Sequence, residues 1–416
     1  MNRFLPRVVS SITYFTLLPL ILGSLLPRCS AQLEGTFSLS KPTYLAGEPV
    51  FLSFTVKNVS KDPIQIRTAD PLSFCADYQF EVAGMRDRWS LPCGGEGRGG
   101  SCSSSATILQ VGTSHTDRIL LNARYDLRQP GIYTIHVTHR LKYGPANESL
   151  AALQQSGNYQ DFQFAGQLMI QPSQADDLKS EFVKYVHDLD SVDDHERSEA
   201  GQVIACLAPK FLESTILKML YLQSLQGFGL EGLHNLGTPS AHRALTEFVK
   251  NSQPTNVVGP YQDALHYLGE IGDASDIPVL LNAAHANAPD SLSRELAIES
   301  AGRAGGAAAV PSLVTELNDP SLNTKQAAVR ALYLTGSKTA VPVLIGLLRS
   351  PEWRVSLTAE YGLQILTHRS GAKTETMNPP PPDTYSKWMQ WWRADGQTAT
   401  IFNFDQCGET VPLPSL

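Results

Sequence analysis

Tyr267-Leu268-Gly269-Glu270-Ile271-Gly272, Ser300-Ala301-Gly302-Arg303-Ala304-Gly305 and Leu332-Tyr333-Leu334-Thr335-Gly336 are three versions of one phrase. In each, a proline lies six residues after the last glycine, at Pro278, Pro311 and Pro342, and the closing glycines are 33 and 31 residues apart. Gly237, in Asn235-Leu236-Gly237, lies 35 residues before Gly272, with Arg243 in the proline's place. Ala264, Ala297 and Ala328 keep step upstream of the glycines, and Leu280, Leu313 and Leu344 keep step downstream. A period of this length is the mark of stacked structural units. The spacing fits a helix of three or four turns, a glycine-containing turn, a proline at the start of a second helix where its missing N–H is harmless, and that helix returning. One such hairpin cannot bury its apolar face alone, so several must stack. The pattern predicts four regular units at 229–250, 261–286, 293–318 and 324–349, a degenerate one near 198–223 and a partial one at 353–368.

On these residues the segment 177–370 resembles HEAT repeats, in particular the short subgroup found in phycobilisome lyases and in many exported bacterial proteins. The resemblance implies an α-solenoid whose concave face binds another protein; a broad, shallow groove along the second helices is the expected sign of that role. Deoxyhypusine hydroxylase, a HEAT solenoid of similar repeat length, holds two irons on several His-Glu pairs. Here only His195-Glu196 occurs, and His187, His234, His242, His266, His285 and His368 have no adjoining Glu, so no di-iron site is expected. A lyase role would imply a bilin chromophore and a cytoplasmic setting, which the N-terminus contradicts.

That N-terminus, residues 1–31, reads as a secretory signal peptide: Arg3 and Arg7 supply a positive start, Ile12 to Leu26 an apolar stretch, and Cys29-Ser30-Ala31 a small-residue cleavage site before Gln32. The stretch is about fifteen residues and is interrupted by Pro19 and Gly23, which is short for a spanning helix. Cys29 also invites lipid attachment, but Arg28 occupies the position where such signals carry a small residue. The expectation is export to the periplasm, the cell envelope or the extracellular space, with no integral membrane segment left after cleavage. The whole chain carries a formal charge of −7; loss of Arg3, Arg7 and Arg28, with no acid among the first 31 residues, takes the mature chain to −10. An acidic chain without a basic cluster cannot neutralise a phosphate backbone, so nucleic acid is not an expected partner.

Between 33 and 172 the periodicity is two. Val50, Leu52, Phe54 and Val56 alternate with Phe51, Ser53, Thr55 and Lys57, and further runs at 64–66, 78–83, 106–111, 116–121, 131–141 and 161–171 are separated by Gly, Pro, Asn and Asp turns. About seven short strands predict a β-sandwich. Tyr44-Leu45-Ala46-Gly47-Glu48-Pro49-Val50 followed by a strand resembles the opening of bacterial immunoglobulin-like modules. Leu127-Arg128-Gln129-Pro130-Gly131-Ile132-Tyr133 resembles a tyrosine corner, in which the hydroxyl bonds back to the main chain. His136 and His139 fall on opposite faces of a strand and cannot share a metal; both are read as solvated or locally bonded. Asn58-Val59-Ser60 and Asn147-Glu148-Ser149 match the glycosylation sequon.

After cleavage Cys75, Cys93, Cys102, Cys206 and Cys407 remain, an odd number. Cys93 and Cys102 bracket a glycine-rich loop, so a disulfide between them is the leading candidate, with Cys75 pairing to either as the alternative. Residues 371–416 begin with the proline run Pro379 to Pro382 and lead into an aromatic helix on which Tyr385, Trp388 and Trp392 share a face. That stripe is read as a cap on the last repeat, with an aromatic platform for sugar or peptide as the alternative. No phosphate loop, GxSxG nucleophile or paired carboxylate is present as a motif. No catalytic residue, cofactor or metal is therefore assigned. The expected fold is an immunoglobulin-like sandwich followed by an α-solenoid of HEAT-type hairpins. Its expected function is that of a non-catalytic scaffold for unidentified protein partners; the alternative is an inhibitor-like enzyme regulator or a hydrolase of the envelope.

Overall fold

The computed structural model describes residues 32–69, 77–85, 87, 104–155, 158–252, 259–288, 291–371, 380–404, 406 and 411–413. Residues 1–31, read above as a signal peptide, and Cys75, Cys93, Cys102 and Cys407, with the disulfide expected among them, lie outside these residues.

The chain opens with β1 (Leu33–Leu39), β2 (Thr43–Leu45), β3 (Phe51–Asn58), β4 (Ile64–Ala69) and β5 (Tyr78–Val82). It continues with β6 (Ser104–Leu109), β7 (Ser114–Leu120), β8 (Gly131–Pro145), a short helix α1 (Leu150–Gln155) and β9 (Tyr159–Gln171). One sheet runs β1-β3-β7, all antiparallel. The other runs β2-β9-β8-β4-β6, with β5 also on β8 and a parallel β2–β9 pair. Val50, Leu52, Phe54 and Val56 are buried between the sheets, as the alternation predicts. The Tyr133 hydroxyl donates to the Gln129 carbonyl at 2.7 Å, which is the back-bond expected of a tyrosine corner.

Three features of this domain depart from the sequence reading. β1 is an additional strand: it pairs antiparallel along β3 at the edge of the sheet, with Leu33 buried, Gly35, Phe37 and Leu39 half-buried and the residues between them exposed. His139 is not solvated: it is buried with its ring stacked on Tyr78 at 3.8 Å and edge-on to Phe54, while His136 is exposed on the other face. Asn58 has no exposed surface and is a structural residue. Its Nδ2 donates to the carbonyls of Asp62 and Leu109, and its Oδ1 accepts from the Ser60 amide and hydroxyl.

The helices follow as α2 (Ala175–Asp188), α3 (Asp194–Leu207), α4 (Glu213–Met219), α5 (Gln226–Leu236), α6 (Pro239–Asn251), α7 (Pro260–Ile271) and α8 (Ile277–Ala286). Next come α9 (Leu292–Gly305), α10 (Val310–Glu316), α11 (Leu322–Leu334), α12 (Ala340–Leu347) and α13 (Trp353–Thr367). The hairpins α3/α4, α5/α6, α7/α8, α9/α10 and α11/α12, with α13 as a final first helix, reproduce the predicted units to within a few residues. Pro278 and Pro311 sit at the start of α8 and α10. In the earlier unit Arg243 does not stand in for a proline: Pro239 begins α6 directly after Thr238, whose hydroxyl accepts from the Ala241 amide. The shorter turn after Gly237 moves the helix start forward.

The in-step residues form the core. Ala264, Ala297 and Ala328, and Leu280, Leu313 and Leu344, have no exposed surface. Neighbouring first helices approach so closely that a methyl group on Gly302 would lie 2.4 Å from the Ala331 carbonyl oxygen, and one on Gly269 would lie 2.8 Å from the Ser300 Cα. The two domains share a packed interface. Phe51 and Leu120, on the outer face of the first sheet, belong to the helical core. Arg118 forks onto Glu199 of α3 at 2.7 and 2.8 Å while covering the Phe51 ring at 4.2 Å.

At the far end α14 (Thr384–Trp391) folds back, and β10 (Arg369–Ser370) pairs in parallel with β11 (Val411–Pro412). The buried face of α14 is Thr384, Trp388 and Trp391. Tyr385 and Trp392 are half-buried at its edges. Both triplets obey helical spacing, and the packing turns the helix by one residue relative to the predicted stripe.

Candidate functional site

Because alanine and glycine bring the first helices together, side chains on their outer face reach from one unit to the next. On α7, Glu270 accepts two imidazoles: His234 Nε2 of α5 lies 2.9 Å from Oε2, and His266 Nε2 lies 3.0 Å from Oε1. Arg303 Nη1 of α9 adds a third contact at 3.0 Å. Burial would raise the Glu270 carboxyl, but the bonds to His234 and His266 outweigh it and hold the group well below the usual carboxylate range. His234 also stacks on Tyr267, with 4.7 Å between ring centres. One unit on, Arg330 of α11 donates to Glu299 at 2.5 Å and to Glu295 at 2.8 Å, both on α9. Tyr333 lies beside this pair; burial, then the Glu299 charge, pushes its hydroxyl well above the ordinary tyrosine value. Tyr333 in turn meets Tyr361 of α13 edge-on at 6.0 Å.

The result is a continuous polar and aromatic face across α5, α7, α9, α11 and α13. It lies on the first helices rather than the second, where Gly269 and Gly302 let neighbouring helices approach closely. Its charged side chains are partly buried: Glu270 is 23% exposed, Glu295 21% and Arg330 29%. The cross-repeat pairs escaped a search for adjoining His-Glu residues because their members are about one repeat apart in sequence. Aligning the units in register would have shown them. Further pairs of this kind, His242 with Asp276 at 2.7 Å and His285 with Glu316 at 2.9 Å, tie α6 to the turn before α8 and α8 to α10.

At the C-terminal end the chain itself lies on this face. Phe404 stacks on Tyr333 with 6.4 Å between centres, Phe402 stacks on His368 at 3.7 Å, and the Phe402 amide donates to the Leu366 carbonyl at 2.9 Å.

Two cavities accompany the face. One, of about 520 Å³, is an open groove along Tyr385, Met389 and Arg393 on the outside of α14, where Tyr385 also carries the Arg349 guanidinium at 4.4 Å. The other, of about 230 Å³, lies between the domains against Arg128, Cys206, Leu207 and Asn235. Cys206 directs its Sγ at Glu231 Oε1, 3.6 Å away, and a carboxylate is the wrong charge to favour a thiolate nucleophile. Among the described residues no group of three or more His, Cys, Asp or Glu is arranged to hold a metal ion, and at Glu270 the Arg303 guanidinium already lies against the carboxylate. No helix among them is long and apolar enough to cross a membrane.

Residues 277–364 match the family model for HEAT repeats. With that match, the helical half is an α-solenoid of HEAT-type hairpins following a β domain. Among solved structures, the chain is similar to the complex of CpcE and CpcF of phycocyanin lyase from a Nostoc species, at 17% identity over 52% of this chain and 82% of that one, with a TM-score of 0.29. It is also similar to Legionella pneumophila aminopeptidase A (10% identity, 80% of this chain, 39% of that one, TM-score 0.30). A Salmonella alpha-2-macroglobulin shows 12% identity over 80% of this chain and 26% of that one, with a TM-score of 0.19. The chain thus spans well under half the length of the last two. No curated protein matches it in sequence.

Proposed function

We propose that the mature chain is an exported, non-catalytic scaffold that holds other proteins on its solenoid and sandwich surfaces. The observation that carries this reading is the first-helix face. It runs through five successive units, is lined by tyrosine, histidine, arginine and carboxylate side chains, and is covered at its C-terminal end by the chain's own Phe402 and Phe404. Tyrosine and arginine are the residues most enriched where proteins meet. Export rests on residues 1–31, whose charged start, apolar middle and small-residue end have the order of a signal peptide.

The test is affinity capture of the mature protein from its own envelope fraction, followed by mass spectrometry, with the intact mass reporting where the N-terminus begins. The expected outcome is a stoichiometric protein partner and a chain starting near Gln32. Recovery of no such partner, together with turnover of a supplied substrate, would sink the scaffold reading.

A further inference from the structure

All first helices of the stack run the same way, so every connection that enters one lies on a single edge of the solenoid, and every turn within a hairpin lies on the opposite edge. The six entering connections are 189–193, 220–225, 252–259, 287–291, 317–321 and 348–352, of which 253–258 lie outside the described residues. Exposed large apolar side chains collect on this edge. Val192 is 99% exposed in the first connection, and Tyr221 is 83% exposed in the second with exposed Leu222 beside it. Leu292 stands exposed at the end of the fourth and Trp353 at the end of the sixth. Among the described residues the turns of the other edge, 208–212, 237–238, 272–276, 306–309 and 335–339, carry none. A row of apolar side chains confined to one edge marks a contact surface.

The two ends of the row carry opposite charge. Around Val192, residues 188–197 hold five acids and one arginine. Lys184 pairs with Asp188 and Arg197 with Asp194, which leaves the exposed Asp190, Asp193 and Glu196 as excess negative charge. Around Trp353, Lys325 pairs with Glu352 at 2.6 Å, which leaves the exposed Arg349 and Arg354 as excess positive charge. A helix N-terminus favours an acid, as α3 has in Asp194 and Glu196, yet the first turn of α13 carries Arg354 and no acid. Nothing on its own helix accounts for that charge. A surface acidic at one end and basic at the other fits a copy of itself turned end for end.

We propose that this edge joins two copies of the chain about a two-fold axis that crosses the row at its midpoint. The axis sets the first connection of one copy against the sixth of the other, the second against the fifth and the third against the fourth. Val192 then meets Trp353, Tyr221 meets the exposed Pro320, and Asp190 lies opposite Arg354, each pair occurring twice. Five intervals of about 9 Å and two helix layers of about 10 Å each make an edge on the order of 900 Å² per copy, against about 800 Å² per partner in a standard stable interface. The contact uses neither the first-helix face nor the sandwich, so it stands or falls separately from the scaffold reading.

The test is sedimentation velocity of the full mature chain over a dilution series up to about 100 µM. The expected species is a reversible dimer that dissociates on dilution and weakens as salt rises. Tyr221→Ala and Trp353→Ala are each expected to raise the dissociation constant about tenfold, and Ile132→Ala, at an exposed position on the sandwich, to leave it unchanged. Asp190→Lys and Arg354→Glu are each expected to raise it about tenfold, because each puts two like-charge contacts into the dimer. The double variant Asp190→Lys/Arg354→Glu swaps the charges and is expected to return to within about threefold of the wild type. A monomer throughout, a dimer that neither aromatic variant weakens, or a double variant no tighter than the single ones overturns the assignment. A monomer that instead sediments with phosphatidylcholine vesicles, and loses this in Trp353→Ala, makes the edge a lipid-facing surface and overturns it as well.

Discussion

Trp388 Nε1 donates to Glu360 Oε2 at 2.5 Å, and neither side chain has any exposed surface. The other carboxylate oxygen of Glu360 accepts the Gly371 amide at 2.9 Å, so one buried acid on α13 holds both α14 and the strand that leads away from α13. A solenoid ends in an open apolar face unless something covers it, and here the cover is fastened by hydrogen bonds as well as by apolar contact. Glu360→Ala leaves the buried Trp388 N–H unsatisfied, at a cost of about 1–3 kcal/mol, and takes the acceptor from the half-buried Gly371 amide. The expected result in urea denaturation is a lowered midpoint. Hydrogen exchange should show amides of 397–404 losing protection while the β-sandwich keeps its own. Unchanged protection at the C-terminal end would show that the apolar contacts suffice without the acid.

The glycines of the repeats fall into two kinds with opposite expected behaviour. Gly302 faces the Ala331 backbone, which cannot swing aside as a flexible side chain can. Gly302→Ala therefore forces α9 and α11 apart and is expected to destabilise by about 1–3 kcal/mol, the usual range for overpacking. Gly346, inside α12, has nothing within 4 Å of an added Cβ. Gly346→Ala is expected to stabilise by about 0.5–1 kcal/mol through helix propensity alone. Thermal unfolding of the two variants side by side checks both signs, and a destabilised Gly346→Ala would contradict the open surroundings of that position.

Asn58 gives a prediction about chemistry as well as stability. Its amide closes the turn between β3 and β4 by four hydrogen bonds with no exposed surface, so Asn58→Ala is expected to cost several kcal/mol, at about 1 kcal/mol per bond before any unsatisfied group is counted. In a host that glycosylates exported proteins, the folded chain is expected to carry sugar at Asn147, which is exposed, and not at Asn58. Peptide mapping of the secreted protein decides it: a glycan on Asn58 would mean that modification precedes closure of this turn.

Much of the architecture was legible because it rests on local periodicity. The closing glycines, the prolines six residues on and the in-step Ala and Leu positions mark one hairpin each, and all six of those Ala and Leu residues are fully buried. What escaped depends on contacts between units or between domains. His234 and Glu270 are 36 residues apart and meet only because α5 and α7 are neighbours in the stack. Phe51 reads as the outer face of a strand, and it is buried because a helix, not water, lies there. On α14, Trp391 and Trp392 both satisfy helical spacing, so only packing could choose between them.

Glu270 links the candidate face to pH. In the unfolded chain its carboxyl titrates near the ordinary value of 4.5, whereas in the folded protein the bonds to His234 and His266 hold it well below that against the opposing effect of burial. A depressed carboxyl contributes stability that is complete above its unfolded value and is lost as pH falls toward its folded one. The wild-type urea midpoint should therefore decline below about pH 4.5 in part because of this residue. Glu270→Gln removes the charge and replaces one of the two acceptor oxygens that face the imidazoles and the guanidinium by an NH2 donor, and is expected to cost about 1–3 kcal/mol at pH 7, reduced by whatever solvent screens at this partly exposed site. Below pH 4.5 the two curves should converge, since the wild type progressively loses what the variant never had. Curves that stay parallel from pH 7 to pH 3 would mean that Glu270 is not held in the charged state by its neighbours, and that the cross-repeat contacts at α5, α7 and α9 contribute packing rather than charge.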